Sequence, residues 1–330
     1  MAAQPLPLAI LGTATANLPA VPTAAVAARL GVPEADLVRK TGILARRAAP
    51  PEMTFGALGA QAVRAALSAA QRDAASIERL ILVNSTGCDD LCPATANHVA
   101  RELGLGRTLD CFDVNNACSG FLTALDLAAR CVATGYDTLA IVAVEMGSRY
   151  TDPSEPRSYA IFGDGAAAAI VGRPRGRGAI LGSYLRNDPA DLEAIRMTIP
   201  RASGERPLLR FGGSNEHIMK RSLEVVAESV AEALRRAAVT AERIRWIVPH
   251  QPNGPLLDRM LATVGARPSQ YVRVVHEHGS LGSASIALGL DAIFRTGEVR
   301  PGDLGLLIGV GGGASYGAMV VEFDGEEGRS

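Results

Sequence analysis

The chain reads as an α/β protein built from two similar halves, on two observations. Short strands rich in Val, Ile and Leu alternate with alanine-rich helices along its length, the pattern of helices packed on a largely buried sheet. The order of these units also repeats, and a repeat in order is harder to produce by shared composition than a single look-alike pair.

The first repeated unit is AVRAALSAAQRDAASIERLILVNSTG (62–87), which resembles EALRRAAVTAERIRWIVPHQPNG (232–254). Each is a helix, an A-x-x-I link and a buried strand that ends in polar residues and glycine. Next comes DVNNACSGFLTALDLAAR, where an apolar stretch stops at a polar turn and an amphipathic helix begins. The helix–strand unit TALDLAARCVATGYDTLAIVAVE (123–145) resembles SIALGLDAIFRTGEVRPGDLGLLIGVGGG (285–313). Aligning Thr134-Gly135 with Thr296-Gly297 sets Ser280 opposite Cys118, so two equivalent helix N-termini are expected to meet across an internal two-fold. The halves divide at about 1–175 and 176–330. Between them, residues 186–219 are punctuated by Gly and Pro and lack long periodicity. Such a segment is either a substrate-access loop or a plain surface excursion. Near the end, GVGGGASYG (309–317) joins two strands, and its spacing is not that of a dinucleotide-binding glycine motif.

Composition narrows the classes. A chain of 330 residues with 48% hydrophobic and 20% charged residues is an ordinary globular protein, and a net charge of −1 gives no electrostatic reason to bind nucleic acid or membrane. The N-terminus lacks the basic region of a signal peptide, and no apolar run reaches membrane-spanning length. Five cysteines, an odd number, argue for a reducing compartment, here the cytoplasm, and against a disulfide framework. Cys88 and Cys92 have no second pair or histidine cluster beside them, so no metal is expected.

Cys118 has the setting of a nucleophile. A thiol at a helix N-terminus faces unpaired N–H groups and the positive end of the helix dipole, which favour the thiolate. A buried structural cysteine is the alternative that placement alone leaves open. Among five histidines, His98 lies in a helical run and reads as surface or packing, and His217 lies in the 186–219 segment. His250 ends a buried strand, where α/β proteins place chemistry, although a satisfied core histidine fits as well. His276 and His278 precede the helix expected to begin near Ser280. The backbone of the glycine turn could stabilise an oxyanion or could simply form a hairpin.

The motifs ILGTATANLP, RKTGILARR, NNACSGF, IFGDGAAAAIVG, VPHQPN, HGSLGSASIAL and GVGGGASYGAMVVEF occur in one order along the chain. In them the chain resembles the 3-oxoacyl-[acyl-carrier-protein] synthase III family of the thiolase superfamily. The resemblance implies a thiolase-like fold, a layered α-β-α-β-α sandwich of two duplicated halves. It implies that Cys118 accepts an acyl group from a coenzyme A or carrier-protein thioester. The N–H groups of Cys118 and Gly312 would form the oxyanion hole, and His250 would hold the second substrate's thioester carbonyl. Ser280 completes the catalytic set. Cys92, Phe162, Phe211, Asn215 and Asn253 are expected to touch substrate, and Phe162-Gly163-Asp164-Gly165 is a structural turn. No permanently bound cofactor is implied, acyl carrier protein is a possible partner, and a homodimer is expected.

Four positions depart from the family pattern. Ser280 replaces a site asparagine, leaving one donor on a shorter side chain. Asp36 stands where the family stacks a tryptophan on coenzyme A, and the one Trp of this chain is Trp246. Pro255 replaces a basic carrier-docking residue, for which Arg259, Lys220 or Arg221 could substitute. Cys92 stands where a partner subunit lends an aromatic residue to limit the acyl tunnel. The sequence therefore predicts an acyltransferase acting by Claisen condensation in fatty-acid or polyketide-like biosynthesis. Non-decarboxylative transfer to an oxygen or nitrogen acceptor is the alternative, and a catalytically silent binding subunit is a third.

Overall fold

A computed structural model describes residues 4–106, 109–198 and 207–324. Two five-stranded sheets carry the fold. One orders its strands Ala9–Thr15, Asp164–Gly172, Thr138–Met146, Arg79–Val83, Asp110–Val114. The other runs Leu6–Pro7, Ala179–Asn187, Ser315–Glu322, Leu304–Gly311, Ile244–Pro249. Four consecutive strands of each share the same sense: two antiparallel pairings, then a parallel one. The chain crosses between sheets at its start, because Leu6–Pro7 pairs with Ala179–Asn187 before Ala9–Thr15 enters the other sheet.

Helices Gly120–Ala133 and Ala284–Arg295 lie between the sheets, in a core shared with strands of both. Phe55–Ala70 covers the outer face of one sheet and Asn215–Ala237 the outer face of the other. The result is a thiolase-like α-β-α-β-α sandwich. No helix among the described residues is long and apolar enough to cross a membrane.

Local sequence explains the repeat. Both A-x-x-I links are single turns of 3-10 helix, Ala74–Ser76 and Ala241–Arg243, which deliver Ile77 and Ile244 to the sheets. Each outer helix is capped by a hydroxyl: Thr54 accepts from the Ala57 N–H and Ser214 from the His217 N–H. Each central helix ends on a Thr-Gly pair at Thr134 and Thr296, with the glycine in a positive-φ turn. The second central helix begins at Ala284, four residues later than expected from the position of Ser280. The segment 280–283 is instead an irregular turn. His217, expected in a loop, sits in the first turn of Asn215–Ala237, because Ser214 starts that helix inside the segment 186–219. The middle of that segment, 199–206, lies outside the described residues.

Glycine marks where strand meets outer helix in each half. A Cβ on Gly12 would lie 2.5 Å from the Ala70 nitrogen and 2.7 Å from the Ala66 oxygen. One on Gly182 would lie 2.5 Å from the Ala237 nitrogen and 2.8 Å from the Ala233 oxygen. Both are backbone atoms, so the helix itself must move. Gly12→Ala and Gly182→Ala are each expected to lower stability by about 1–3 kcal/mol. Gly106→Ala, facing open space, should stay within about 0.5 kcal/mol. Urea unfolding midpoints of the three variants check this.

Candidate active site

A cavity of about 790 Å³ opens between the halves, and Cys118, His250 and Ser280 all line it with Gly311, Gly312 and Gly313. Phe162, Phe211, Asn215 and Asn253 line it as well. Cys92 does not: it is exposed in the loop after Gly87 and lies outside this chain's own cavity.

Cys118 follows the edge strand Asp110–Val114 and a tight turn in which Ala117 has φ 44°. A non-glycine residue in that region is strained, and the Asn115 side chain, accepting from the Ala117 N–H at 3.1 Å, helps to hold it. The N–H groups of Gly312 and of Cys118 itself lie near enough to the sulfur to favour its charged form. Gly311 makes the approach possible, since a Cβ there would lie 2.7 Å from the Cys118 nitrogen. The two donors that the resemblance assigns to an oxyanion therefore converge beside the sulfur.

The thiol is not primed in the way its helix address suggested. The helix begins at Gly120, and Cys118 precedes even the N-cap residue Ser119. Burial, reinforced by the Glu145 carboxylate, pushes the thiol up to about 12, against the pull of the two N–H donors. Burial likewise pushes His250 down to about 4, so its imidazole is neutral. His250 ends Ile244–Pro249, with its N–H donating to the Ile308 carbonyl at 2.7 Å, and its Nδ1 is enclosed without a partner. Ser280 is held by its backbone: its N–H donates to the Ile161 carbonyl at 2.7 Å, and its carbonyl accepts from Gly163 at 3.1 Å.

Next to this bridge the Asp164 carboxylate is wholly buried and accepts from the N–H groups of Ala49 and Ser148 and from the Ser148 hydroxyl. The Phe162–Gly165 turn is thereby tied to its surroundings. Phe162 and Phe211 approach with ring centroids 6.3 Å apart, and Arg157 stacks on Phe211 at 4.8 Å. Toward the mouth lie Arg29, Asp36 and Lys40, with Asp36 bound to Arg39 at 2.8 Å. Arg221, considered for carrier docking, is engaged by Asp188 and Asp191. His217 also binds Asp191, at 2.8 Å. No group of three or more His, Cys, Asp or Glu among the described residues could hold a metal.

Sequence reasoning passed over Glu145. It lies in TLAIVAVEM, a strand buried at every residue, and is its one charged side chain. A single acid in such a run was the available signal.

Residues 112–189 match the 3-oxoacyl-[acyl-carrier-protein] synthase III family, and residues 234–323 match that family's C-terminal domain. Among solved structures, the chain is similar to the 3-oxoacyl-(acyl carrier protein) synthase III FabH of Pseudomonas aeruginosa, at 27% identity, TM-score 0.88, 97% of this chain and 99% of that one. It is similar to the priming β-ketosynthase of the R1128 polyketide biosynthetic pathway, at 29% identity, TM-score 0.89 and 98% of both chains. OleA of Xanthomonas campestris shares the fold at 23% identity and TM-score 0.87, over 97% of this chain and all of its own. The chain belongs to the 3-oxoacyl-[acyl-carrier-protein] synthase III family and is an acyltransferase.

A thiol held high in pH loses about tenfold in thiolate for each pH unit below its pKa. The rate of Cys118 alkylation by iodoacetamide should therefore climb about tenfold per unit and show no plateau below about pH 10. A plateau near neutrality, read by intact mass against time, would contradict this electrostatic picture.

Proposed function

We propose that the chain takes an acyl group from a coenzyme A or carrier-protein thioester onto Cys118. The acyl group then passes to a second substrate by carbon–carbon bond formation, in fatty-acid or polyketide-like biosynthesis. The observation that supports this most is the convergence of the Gly312 and Cys118 N–H groups on a thiol that shares its cavity with His250 and Ser280.

In this reading the thiol proton passes to His250 as the sulfur attacks the thioester carbonyl. The oxyanion is held by the two N–H groups. The donor thiolate then leaves and regains a proton from His250, so the imidazole ends neutral. In the second half-reaction a malonyl thioester loses carbon dioxide. Its enolate carbon attacks the acyl carbon and expels the Cys118 thiolate, which takes a proton from solvent. The enolate oxygen would rest on the His250 N–H and the Ser280 hydroxyl.

Ser280 favours a second reading. A hydroxyl in place of an asparagine amide supplies one donor, and losing a donor aimed at developing charge typically costs about 10²–10³ in rate. Acyl transfer to an oxygen or nitrogen acceptor needs no enolate, and His250 would then take the acceptor's proton. Loss of carbon dioxide from malonyl thioester marks condensation. An ester or amide product without it marks transfer.

The proposal extends to the assembly. The open edge of Asp110–Val114 and the protruding Leu91, which is 89% exposed, support a homodimer in which Cys92 faces the partner's tunnel. The acyl group arrives on coenzyme A or acyl carrier protein, no permanent cofactor takes part, and the site of action is the cytoplasm. The units 1–175 and 176–330 act as the two halves. A silent binding subunit is disfavoured by the joint presence of the thiol, its two N–H donors and His250.

Incubation with a panel of acyl thioesters should add an acyl mass to Cys118, and Cys118→Ala should abolish it. An adduct that persists in Cys118→Ala sinks the mechanism. Ser280→Asn is expected to raise carbon dioxide release from malonyl thioester about 10-fold or more if condensation is the native reaction. No rise would turn the assignment to the oxygen or nitrogen acceptor.

A further inference from the structure

The Glu145 carboxylate is buried at the end of Thr138–Met146 and gathers five donors from two other segments. Its Oε1 accepts from the Ser85 N–H at 3.0 Å, the Ser85 hydroxyl at 2.7 Å, the Ser283 N–H at 3.0 Å and the Ser283 hydroxyl. Its Oε2 accepts from the Thr86 hydroxyl at 2.6 Å. Ser85 and Thr86 follow the strand Arg79–Val83, whereas Ser283 closes the turn that carries Ser280. One side chain thus ties the Ser280 turn, in the second half of the chain, to a strand end of the first.

The turn is shaped around this acid. Gly282 has φ +46°, and a Cβ there would lie 3.0 Å from the Glu145 Oε1 and 3.1 Å from the Ser85 hydroxyl. Ser283 in turn packs beside the start of the nucleophile's helix, where a Cβ on Gly120 would lie 3.8 Å from that of Ser283. The segments that donate to Glu145 bring hydroxyls and N–H groups and no charged side chain. Beside Cys118, Glu145 is the acid whose charge reaches the thiol, and His250 is the titratable group across the cavity.

We propose that Glu145 is a positioning residue of the reaction: its carboxylate fixes the turn bearing Ser280 against the first half. Its charge also reaches Cys118 and adds to burial in holding the resting thiol protonated. The inference rests on the reading of Cys118 as the nucleophile. Five converging donors favour the charged form of the carboxyl. Burial pushes the carboxyl up, while Ser283, Ser85 and Thr86 pull it back. The consequence is a thiol that stays inert toward stray electrophiles until a thioester carbonyl arrives and His250 takes the proton.

The test compares Glu145→Gln with Ser283→Ala. Glu145→Gln keeps the shape and removes the charge. Its Cys118 should react with iodoacetamide about 3- to 10-fold faster at pH 8, with the pH–rate profile displaced to lower pH. Its acyl-transfer kcat should fall about tenfold while the KM for the acyl donor moves less than about threefold. Ser283→Ala keeps the charge and loosens the turn, so alkylation should stay at the parent rate while kcat falls. Alkylation of Glu145→Gln at or below the parent rate overturns the proposal. So does an equal acceleration in Ser283→Ala, which would assign the effect to loosening. Alkylation needs no acyl substrate, so if the parent protein takes no acyl group on Cys118, the functional reading fails while this comparison still reports on Glu145.

Discussion

The two central helices must bury nearly every face, because each lies between two sheets. Gly120–Ala133 encloses Phe121, Leu122, Leu125 and Val132, and Ala284–Arg295 encloses Ile286, Leu288, Leu290 and Ile293. Each such side chain contributes about 1.5–3 kcal/mol on leaving water. Their helices therefore cannot slide, and their N-termini stop at a fixed place between the halves. Neither N-terminus is closed by its own serine. The Ser119 hydroxyl donates to the Ser315 carbonyl, and the Ser283 hydroxyl donates to Glu145. Hydroxyls that would ordinarily cap a helix instead bind neighbouring strand ends, at Ser315 and Glu145. Even the one acid in the second helix serves this docking: Asp291 accepts from Thr13 at 3.1 Å and Thr15 at 2.8 Å, joining the helix to the other half's sheet.

The same enclosure sets the chemistry. A helix terminus shifts a charge balance by about 0.3–1 kcal/mol. Taking an unpaired thiolate out of water costs several times that. Burial therefore wins at Cys118, and it wins at His250 in the opposite direction, so the site holds two neutral groups. Proton movement must then accompany the approach of the substrate carbonyl. The two N–H donors at the sulfur are in place beforehand, which is the arrangement that stabilises an oxyanion without reorganisation.

Much of this was legible in the residues. The A-x-x-I turns, the Thr-Gly helix ends and the strand termini at His250 and after Val83 followed from local pattern, since turns and caps depend on neighbours in sequence. Three features were not legible, each for a reason of tertiary contact. Ser214 captured His217 into a helix that the Gly and Pro content of the segment had hidden. The turn 280–283 delayed the second central helix because Ser283 gives its N–H and hydroxyl to Glu145, far away in sequence. The thiol's protonation state depended on an enclosure that no run of sequence displays.

The backbone around Ser280 leaves no room for a small adjustment. Its N–H and carbonyl are both fixed to the Ile161–Gly163 segment. On either side the packing is at backbone distance: a Cβ on Gly163 would collide with the His278 carbonyl, and one on Gly279 would lie 2.9 Å from the Ile161 oxygen. The segment opposite is itself held by the buried Asp164, and the far end of the turn is held by Glu145. With its root immobile, a serine hydroxyl ends short of the place an asparagine amide would reach. On the proposed reading a second substrate therefore sits deeper against Ser280, or leans on the His250 imidazole alone, and the fixed turn makes that choice a property of the substrate rather than of the protein.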